Sequence, residues 1–600
     1  MSAPDPFPHY QKALKQRQAN TGVWFLESEQ YAKWKTDAAS FLWLCGIPGC
    51  GKTILSSTIL QNVFQYCADD PGKIIAYFYF DFNDPHKQDP ELMVRSLISQ
   101  LSQRSVKLPT ILETLYSSCE NRQRHPSLDD FLEVLHEMIQ ESLQSYIILD
   151  ALDECGKRTE LMGILENMAG WRLESLHILA TSRKERDIES LLEDFVDKQN
   201  TIYLQSKLVD KDIHTYIRQR LSDDKSLRKW QNDRYVQQEI ETALMEGAHG
   251  MYIFLFQCWK FNTDNNCRFR WAVLQLDTLG KCRNRLMLRE SLATLPPTLD
   301  QTYDRILCAI SENDSEYAVR ILRWLAFSAR PLLVEEISEV VAIDPERDPA
   351  FDCQEVLEDP LDALDICSSL VTIATPEESF LQMGRRGSVS TRKVILLAHY
   401  SVKEYLISAR CRQDLYRMQN AACNEFIAKS CLKYLLQFQS SVSFTDESIE
   451  ESKLALYSAE FWTTYIQGVS YKAEALNRLV MELFLTGNDA YLNWIRIYDP
   501  DKPGEDPDIT RQLENVPTPL YYASLLGLTK IVSLLILEAG ADGNAQGGGY
   551  GNALQAASAR GHDQVVQRLL EAGADVNAQR GGGFSNALQV ASAGGHDRVV

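Results

Sequence analysis

The sequence predicts a multidomain α/β plus α protein: a doubly wound parallel sheet near the N-terminus, helical domains after it, and a solenoid of helical repeats at the end. Short apolar runs alternate with helix-period segments between residues 40 and 190, the pattern of strands buried on both faces between crossover helices. A glycine loop joins one such run to a helix at 46–53. Gly527, Gly561 and Gly595 recur at one fixed spacing of 34 residues, the mark of a repeat array. At ~100–200 residues per domain, a chain of 600 residues holds several.

Bulk composition excludes several classes. A formal charge of −21 argues against a chain-wide nucleic-acid surface, because phosphate contacts need a basic face. No apolar run reaches the ~18–20 residues of a membrane span. The first residues, MSAPDPFPHYQKALKQRQ, hold no apolar segment of a secretory signal. The 14 cysteines form no CxxC pair and no cluster with zinc spacing, which fits reduced thiols and a cytoplasmic location.

The first chemistry-bearing element is SFLWLC followed by GIPGCGKT at 46–53, a fit to G-x-x-x-x-G-K-[ST] between a strand and a helix. Gly46, Gly49 and Gly51 let main-chain N–H groups turn toward a phosphate with no Cβ in the way. The helix opening at Lys52 aims its positive dipole end at the same anion, with Ile54 in its first turn. Lys52 is placed for the β- and γ-phosphates, and Thr53 for Mg²⁺. The second element, YIILDALDE at 146–154, ends a strand on Asp150, a magnesium-holding position. Asp153 and Glu154 then either orient and deprotonate the attacking water or begin a solvated loop. The third, LHILATSR at 176–183, puts Arg183 at a strand end, as a γ-phosphate sensor or an ordinary surface arginine.

With TGVWFLESEQYAKW, YFYFDF, the DALDE form of the acidic motif, LPPTLDQTYDRIL and LAHYSVKEYL, the chain resembles the NACHT ATPases of the STAND class. The likeness is greatest to fungal members, whose NTPase module is similar to the N-terminal module of nephrocystin-3. No NKxD motif of a Ras-like GTPase occurs, so the resemblance implies ATP or ADP with Mg²⁺. It also implies an organisation: an N-terminal segment at 1–38, a P-loop NTPase core at 39–190, a helical domain at 191–296 and a winged-helix domain at 297–410. It implies that His399 touches the ADP β-phosphate, although a hydrogen-bonded core histidine reads equally well. Thr21 and Gly22 fall where relatives border adenine. Relatives run without a break from the glycine to the tryptophan of GM…FRWAV, whereas here residues 252–268 intervene. That segment reads as a retained intron or as a genuine insertion.

A helical connector is expected at 411–515, with DPDKPGEDPD at 499–508 as a linker. RRGSVS at 385–390 reads as a hairpin tip, with Ser388 either a basophilic-kinase site or part of an exposed loop. The units TPLYYASLLGLTKIV, NALQAASARGHDQVV and NALQVASAGGHDRVV, with their LLxxGAD continuations, resemble ankyrin repeats over 516–600. The second and third agree at 15 of 20 positions between 547–566 and 581–600, so they look recently duplicated. No polar capping helix precedes the end at Val600, so the array is expected to continue in the natural protein.

The expected function is a signalling switch that works in non-self recognition or incompatibility-type responses. ADP holds it closed, a protein ligand of the ankyrin array opens it, and opening leads to homo-oligomers. With about 20 residues ahead of the conserved block, effector output is expected from a separate protein, from a missing exon, or not at all. The competing expectations are a continuously turning-over P-loop ATPase and an ankyrin adaptor that has lost its nucleotide switch.

Overall fold

The computed structural model describes residues 3–46, 49–104, 112, 115, 126–204, 207–258, 268–374, 393–439, 445–467, 474–484, 489–578, 586–596 and 598–600. Ser388 and its loop at 385–390 lie outside these residues, as does 259–267 of the suspected insertion. The chain forms two compact units, Met1–Ala309 with Leu397–Asp414, and Ile310–Leu396 with Leu415–Val600. The segment 297–410, expected as one domain, is therefore divided between them.

The first unit holds a five-stranded sheet: β1 Ser40–Cys45, β2 Lys73–Tyr79, β3 Gln144–Asp150, β4 Leu176–Ser182 and β5 Thr201–Tyr203. The order is β2-β3-β4-β1-β5, and every pairing is parallel. Side-chain alternation gives both faces something to bury. Phe41, Trp43, Phe78, Leu149 and Ile178 join helices Pro90–Arg104, Leu128–Gln140, Arg158–Gly170 and Arg186–Leu192 in one core. Leu42, Leu44, Tyr77, Tyr79 and Ile148 join helices Phe7–Gln16, Glu29–Thr36 and Lys52–Cys67 in the other. The helix after β1 leads to β2 along the second face, whereas the helix after β4 leads to β5 along the first. The chain thus diverges between β1 and β4, and the ends of those strands border the crevice where open α/β sheets bind ligands. Helices Lys207–Asp223, Arg234–Cys258, Arg268–Lys281, Arg285–Ala293, Leu299–Cys308 and Tyr400–Ile407 also belong to this unit, and the Tyr405 hydroxyl donates to Asp304 between the last two of them.

In the second unit β6 Leu332–Leu333, β7 Val371–Ala374 and β8 Val394–Leu397 form a small sheet in the order β6-β8-β7. Its helices pack around a buried acid: Glu339 accepts from the Tyr434 hydroxyl at 2.6 Å and from the main-chain N–H groups of Lys453 and Leu454 at 3.0 and 2.9 Å. The region read as a linker is pinned instead. Asp499 accepts from the Tyr522 hydroxyl at 2.7 Å, and Asp501 accepts from the Tyr521 hydroxyl at 2.7 Å.

The repeats follow as helices Pro519–Leu525, Thr529–Leu537, Ala553–Ala559, Asp563–Glu571 and Ala587–Ala593. Replacing Thr-Pro by Asn-Ala preserves the cap. Thr518, Asn552 and Asn586 each accept the N–H three residues on, at 3.3, 2.9 and 3.0 Å. Gly527 and Gly561 sit at φ +72° and +71°, where the imidazole of the next repeat covers them. His562 is 3.1 Å from Leu525 O, and His596 is 3.1 Å from Ala559 O, so each repeat is stitched to the one before. Among the described residues no helix is long and apolar enough to cross a membrane.

Candidate nucleotide site

At the crevice, β1 passes from Cys45 into the glycine loop and then the helix Lys52–Cys67. Gly49 and Gly51 take φ +64° and +95°, a region that L side chains enter only with strain. The loop folds back so that Lys52 Nζ donates to Gly46 O at 2.8 Å. Ile54 lines the cavity that opens here, whose volume is about 580 Å³. Ile47 and Pro48 of the loop lie outside the described residues.

Because β4 lies between β1 and β3, its terminal residues reach both the glycine loop and the acidic strand. Asp150 Oδ2 accepts from Thr53 Oγ1 at 2.7 Å, and Oδ1 accepts from Thr181 Oγ1 at 2.7 Å. The Thr181 hydroxyl in turn accepts from Ala151 N at 3.0 Å. Asp150 is 1% exposed, and burial raises its carboxyl above the usual range against the two hydroxyls and Lys52. A hydroxyl and a carboxylate held this close are the hard oxygen donors that Mg²⁺ takes, and the glycine loop beside them leaves room for phosphates. The residues present fit a magnesium nucleotide.

Ala151, in the left-handed region at φ 60°, turns the chain so that Asp153 and Glu154 face different ways. Both oxygens of Asp153 serve Arg183: Oδ1 accepts from the Arg183 main-chain N–H at 2.9 Å, and Oδ2 lies 2.8 Å from Nε. The guanidinium also pairs with Glu404 and lies 4.7 Å from the centre of the Tyr400 ring. Burial opposes its charge, but Asp153 and Glu404 outweigh it and hold Arg183 above its ordinary range. Glu154 Oε2 accepts from Phe82 N at 3.0 Å. Burial, reinforced by Asp153 and Asp81, raises the Glu154 carboxyl well above the usual range, which favours its protonated form.

His399 caps the helix Tyr400–Ile407, its Nδ1 accepting from Ser401 N at 3.1 Å. The proton therefore sits on Nε2, and the residue lines the cavity with Lys52, Arg183 and Arg270. Burial, helped by those three cations, pushes the imidazole down to about 3. A depressed histidine contributes stability that is fully present above its unfolded value of 6.5 and lost as pH falls toward 3. Thermal unfolding of the wild type should lose midpoint from pH 6.5 downward, and His399→Gln should decline less over the same window. Parallel curves would show that this imidazole is not held neutral.

At the other end, Thr21 Oγ1 donates to Gln18 O at 2.8 Å, while the N–H of Gly22, at φ +74°, donates to Asp212 Oδ2 at 3.0 Å. Thr21, Gly22, Leu55, Val209, Tyr216 and Phe269 line this part of the cavity. The sequence motifs assign no separate role to Asp212, Tyr216, Phe269, Tyr400 or Glu404. Phe269 stands in FRWAV, and Tyr400 and Glu404 stand in LAHYSVKEYL, whereas the local signal for Asp212 and Tyr216 is their spacing of one helical turn. Phe269 and Arg270 directly follow residues 252–268, so that segment feeds a wall of the cavity.

Residues 20–183 match the family described as nephrocystin 3, N-terminal, and residues 475–580 match ankyrin repeats in three copies. The ankyrin match takes in helices Glu474–Leu483 and Asp489–Ile497, ahead of the visible periodicity. The chain is 36% identical over 370 residues to azaphilone pigments biosynthesis cluster protein L of Monascus ruber, covering 57% of this chain and 76% of that protein. Among solved structures, the ORC1 protein of Aeropyrum pernix in complex with DNA overlaps at TM-score 0.28 and 13% identity, over 67% of this chain and 93% of that one. Drosophila ORC bound to DNA overlaps at TM-score 0.27 and 14% identity, over 69% and 94%. Overlaps this loose carry no weight for function.

Proposed function

This chain belongs to the nephrocystin-3 N-terminal family and carries ankyrin repeats, and on that premise we propose that it is an ATP/ADP-dependent switch of the STAND type. The observation that supports it best is Arg183, held between Asp153 and Glu404 under the Tyr400 ring while facing the phosphate end of the cavity. An arginine tied to the segment 397–414 responds to the γ-phosphate only by giving up part of that tie. ATP and ADP then differ in what they do to helix Tyr400–Ile407, which is the differential interaction a switch requires.

In this reading Gly49, Gly51, Lys52 and Ile54 hold the phosphates, Gly46, whose N–H is committed to Ser182 O, lets the loop begin, and Thr21 and Gly22 border the base. Thr53 and Asp150 would hold Mg²⁺, which would supply neutralisation of phosphate charge when bound. Glu154 accepts the proton of the attacking water as its oxygen bonds to the γ-phosphorus and the bridge to ADP breaks, so it must first release its own proton. Asp153 positions Arg183. His399 donates its Nε2–H to the β-phosphate and favours the ADP form.

Ankyrin repeats mediate protein–protein contacts, and we assign them the sensing of a protein ligand. The ligand-bound form oligomerises in the cytoplasm and recruits a separate effector, in non-self recognition or an incompatibility-type response. Protein purified as expressed should carry ADP, and exchange for a non-hydrolysable ATP analogue should raise its mass in light scattering from monomer to a multiple. A monomer in both states with sustained turnover would support the continuously working ATPase instead. A chain that neither carries nor takes up nucleotide would leave an ankyrin adaptor.

A further inference from the structure

The helix Phe7–Gln16 lies ahead of the residues matched by the family, yet its His9 lines the nucleotide cavity. His9 Nε2 is 2.7 Å from Asp81 Oδ2, and Nδ1 is 2.8 Å from Lys87 Nζ. An ammonium can only donate, so Nδ1 accepts and Nε2 carries the proton that goes to Asp81. The imidazole is a neutral bridge between an ammonium and a carboxylate.

Asp81 opens the loop after β2. Its Oδ1 accepts from Asn83 N at 2.9 Å and from Asn83 Nδ2 at 3.0 Å, so one carboxylate both holds the turn and takes the His9 proton. The next N–H, that of Phe82, is the donor to Glu154 Oε2. Farther along, Gln88 O accepts from Gly156 N at 2.9 Å, tying the same loop to the chain just beyond Glu154. Asp81 also acts on Glu154 through charge. The loop is attached to the N-terminal helix through His9, which meets both Asp81 and Lys87, and to the acidic motif through Phe82 and Gln88.

We infer that His9 is a positioning residue for hydrolysis, holding Asp81 and the Phe82 N–H so that Glu154 faces the water that attacks the γ-phosphate. The N-terminal helix is in this way a working part of the site. The inference rests on the proposed role of Glu154. A 1 Å misplacement of a reacting group costs about 100-fold, so partial loosening costs about 10-fold or more.

The test is single-turnover ATP hydrolysis by the full chain, with ADP affinity measured separately, for wild type, His9→Ala and His9→Gln. Glutamine offers an N–H to Asp81 and a carbonyl oxygen to Lys87, so it replaces both bonds. His9→Ala should hydrolyse about 10-fold more slowly with ADP affinity unchanged, and His9→Gln should recover most of the rate. His9→Ala at the wild-type rate would overturn the inference. So would two equally slow variants, or a rate loss matched by a loss of affinity, since either would mark His9 as merely structural. A wild type that binds nucleotide but never turns it over would sink the hydrolytic role of Glu154 instead.

Discussion

Lys52→Ala should weaken ADP and ATP binding by about 100-fold, because it deletes charge-assisted bonds worth about 2–3 kcal/mol to phosphates in a part-buried cradle. The loop should keep its shape, since the conformations of Gly49 and Gly51 and the Thr53–Asp150 bond do not involve the ammonium. Calorimetric titration checks the affinity, and an unchanged melting midpoint in buffer without nucleotide checks the fold. The protein should also lose its co-purified ADP. Wild-type affinity in the variant would move the nucleotide away from this loop and with it the roles assigned to Thr53 and Asp150. Loss of affinity together with loss of fold would make Lys52 a structural residue, held by its bond to Gly46 O.

The largest stability effect is expected in the repeats, where Gly527→Val should cost about 2–3 kcal/mol. A β-branched residue at φ +72° carries about 1–2 kcal/mol of backbone strain. Its Cβ would stand 2.7 Å from the His562 ring, forcing the imidazole off Leu525 O and forfeiting about 1 kcal/mol more. Denaturant titration followed by the array's own ellipticity should show the midpoint fall. Gly163→Ala is the matched control. It lies inside helix Arg158–Gly170 with nothing within 4 Å of the new methyl, so it should gain about 0.5–1 kcal/mol. If Gly527→Val melts with the wild type, the stitching between repeats is not what holds the array.

Features written in short stretches were legible. The glycine loop, the strand ending at Asp150 and the 34-residue period are each local patterns, and each stands where its pattern put it. What depends on contact across the chain was not. Asp212 meets Gly22 and Trp24 from roughly 190 residues away, a pairing no window of sequence contains. Asp153 and Glu154 look equivalent as letters, but the left-handed Ala151 between them and Asp150 sends one to Arg183 and the other to Phe82. Asp499 and Asp501 looked like linker residues because nothing nearby announces that two tyrosine hydroxyls will come to meet them. The ankyrin match beginning at residue 475 is hidden in the sequence because Gly487 stands 40 residues before Gly527, off the 34-residue period, and is followed by Asn488 rather than a histidine.

The glycine–histidine stitch has a consequence for how such a chain changes over generations. Each imidazole reaches back by the same interval to a main-chain carbonyl, an acceptor that any residue supplies. Cutting out or copying one whole period therefore restores the same bonds at the new junction, whatever residues face outward. Unequal crossing-over between stretches as alike as 547–566 and 581–600 would lengthen or shorten the array without unfolding it. Copy number and exposed residues are then free to drift together.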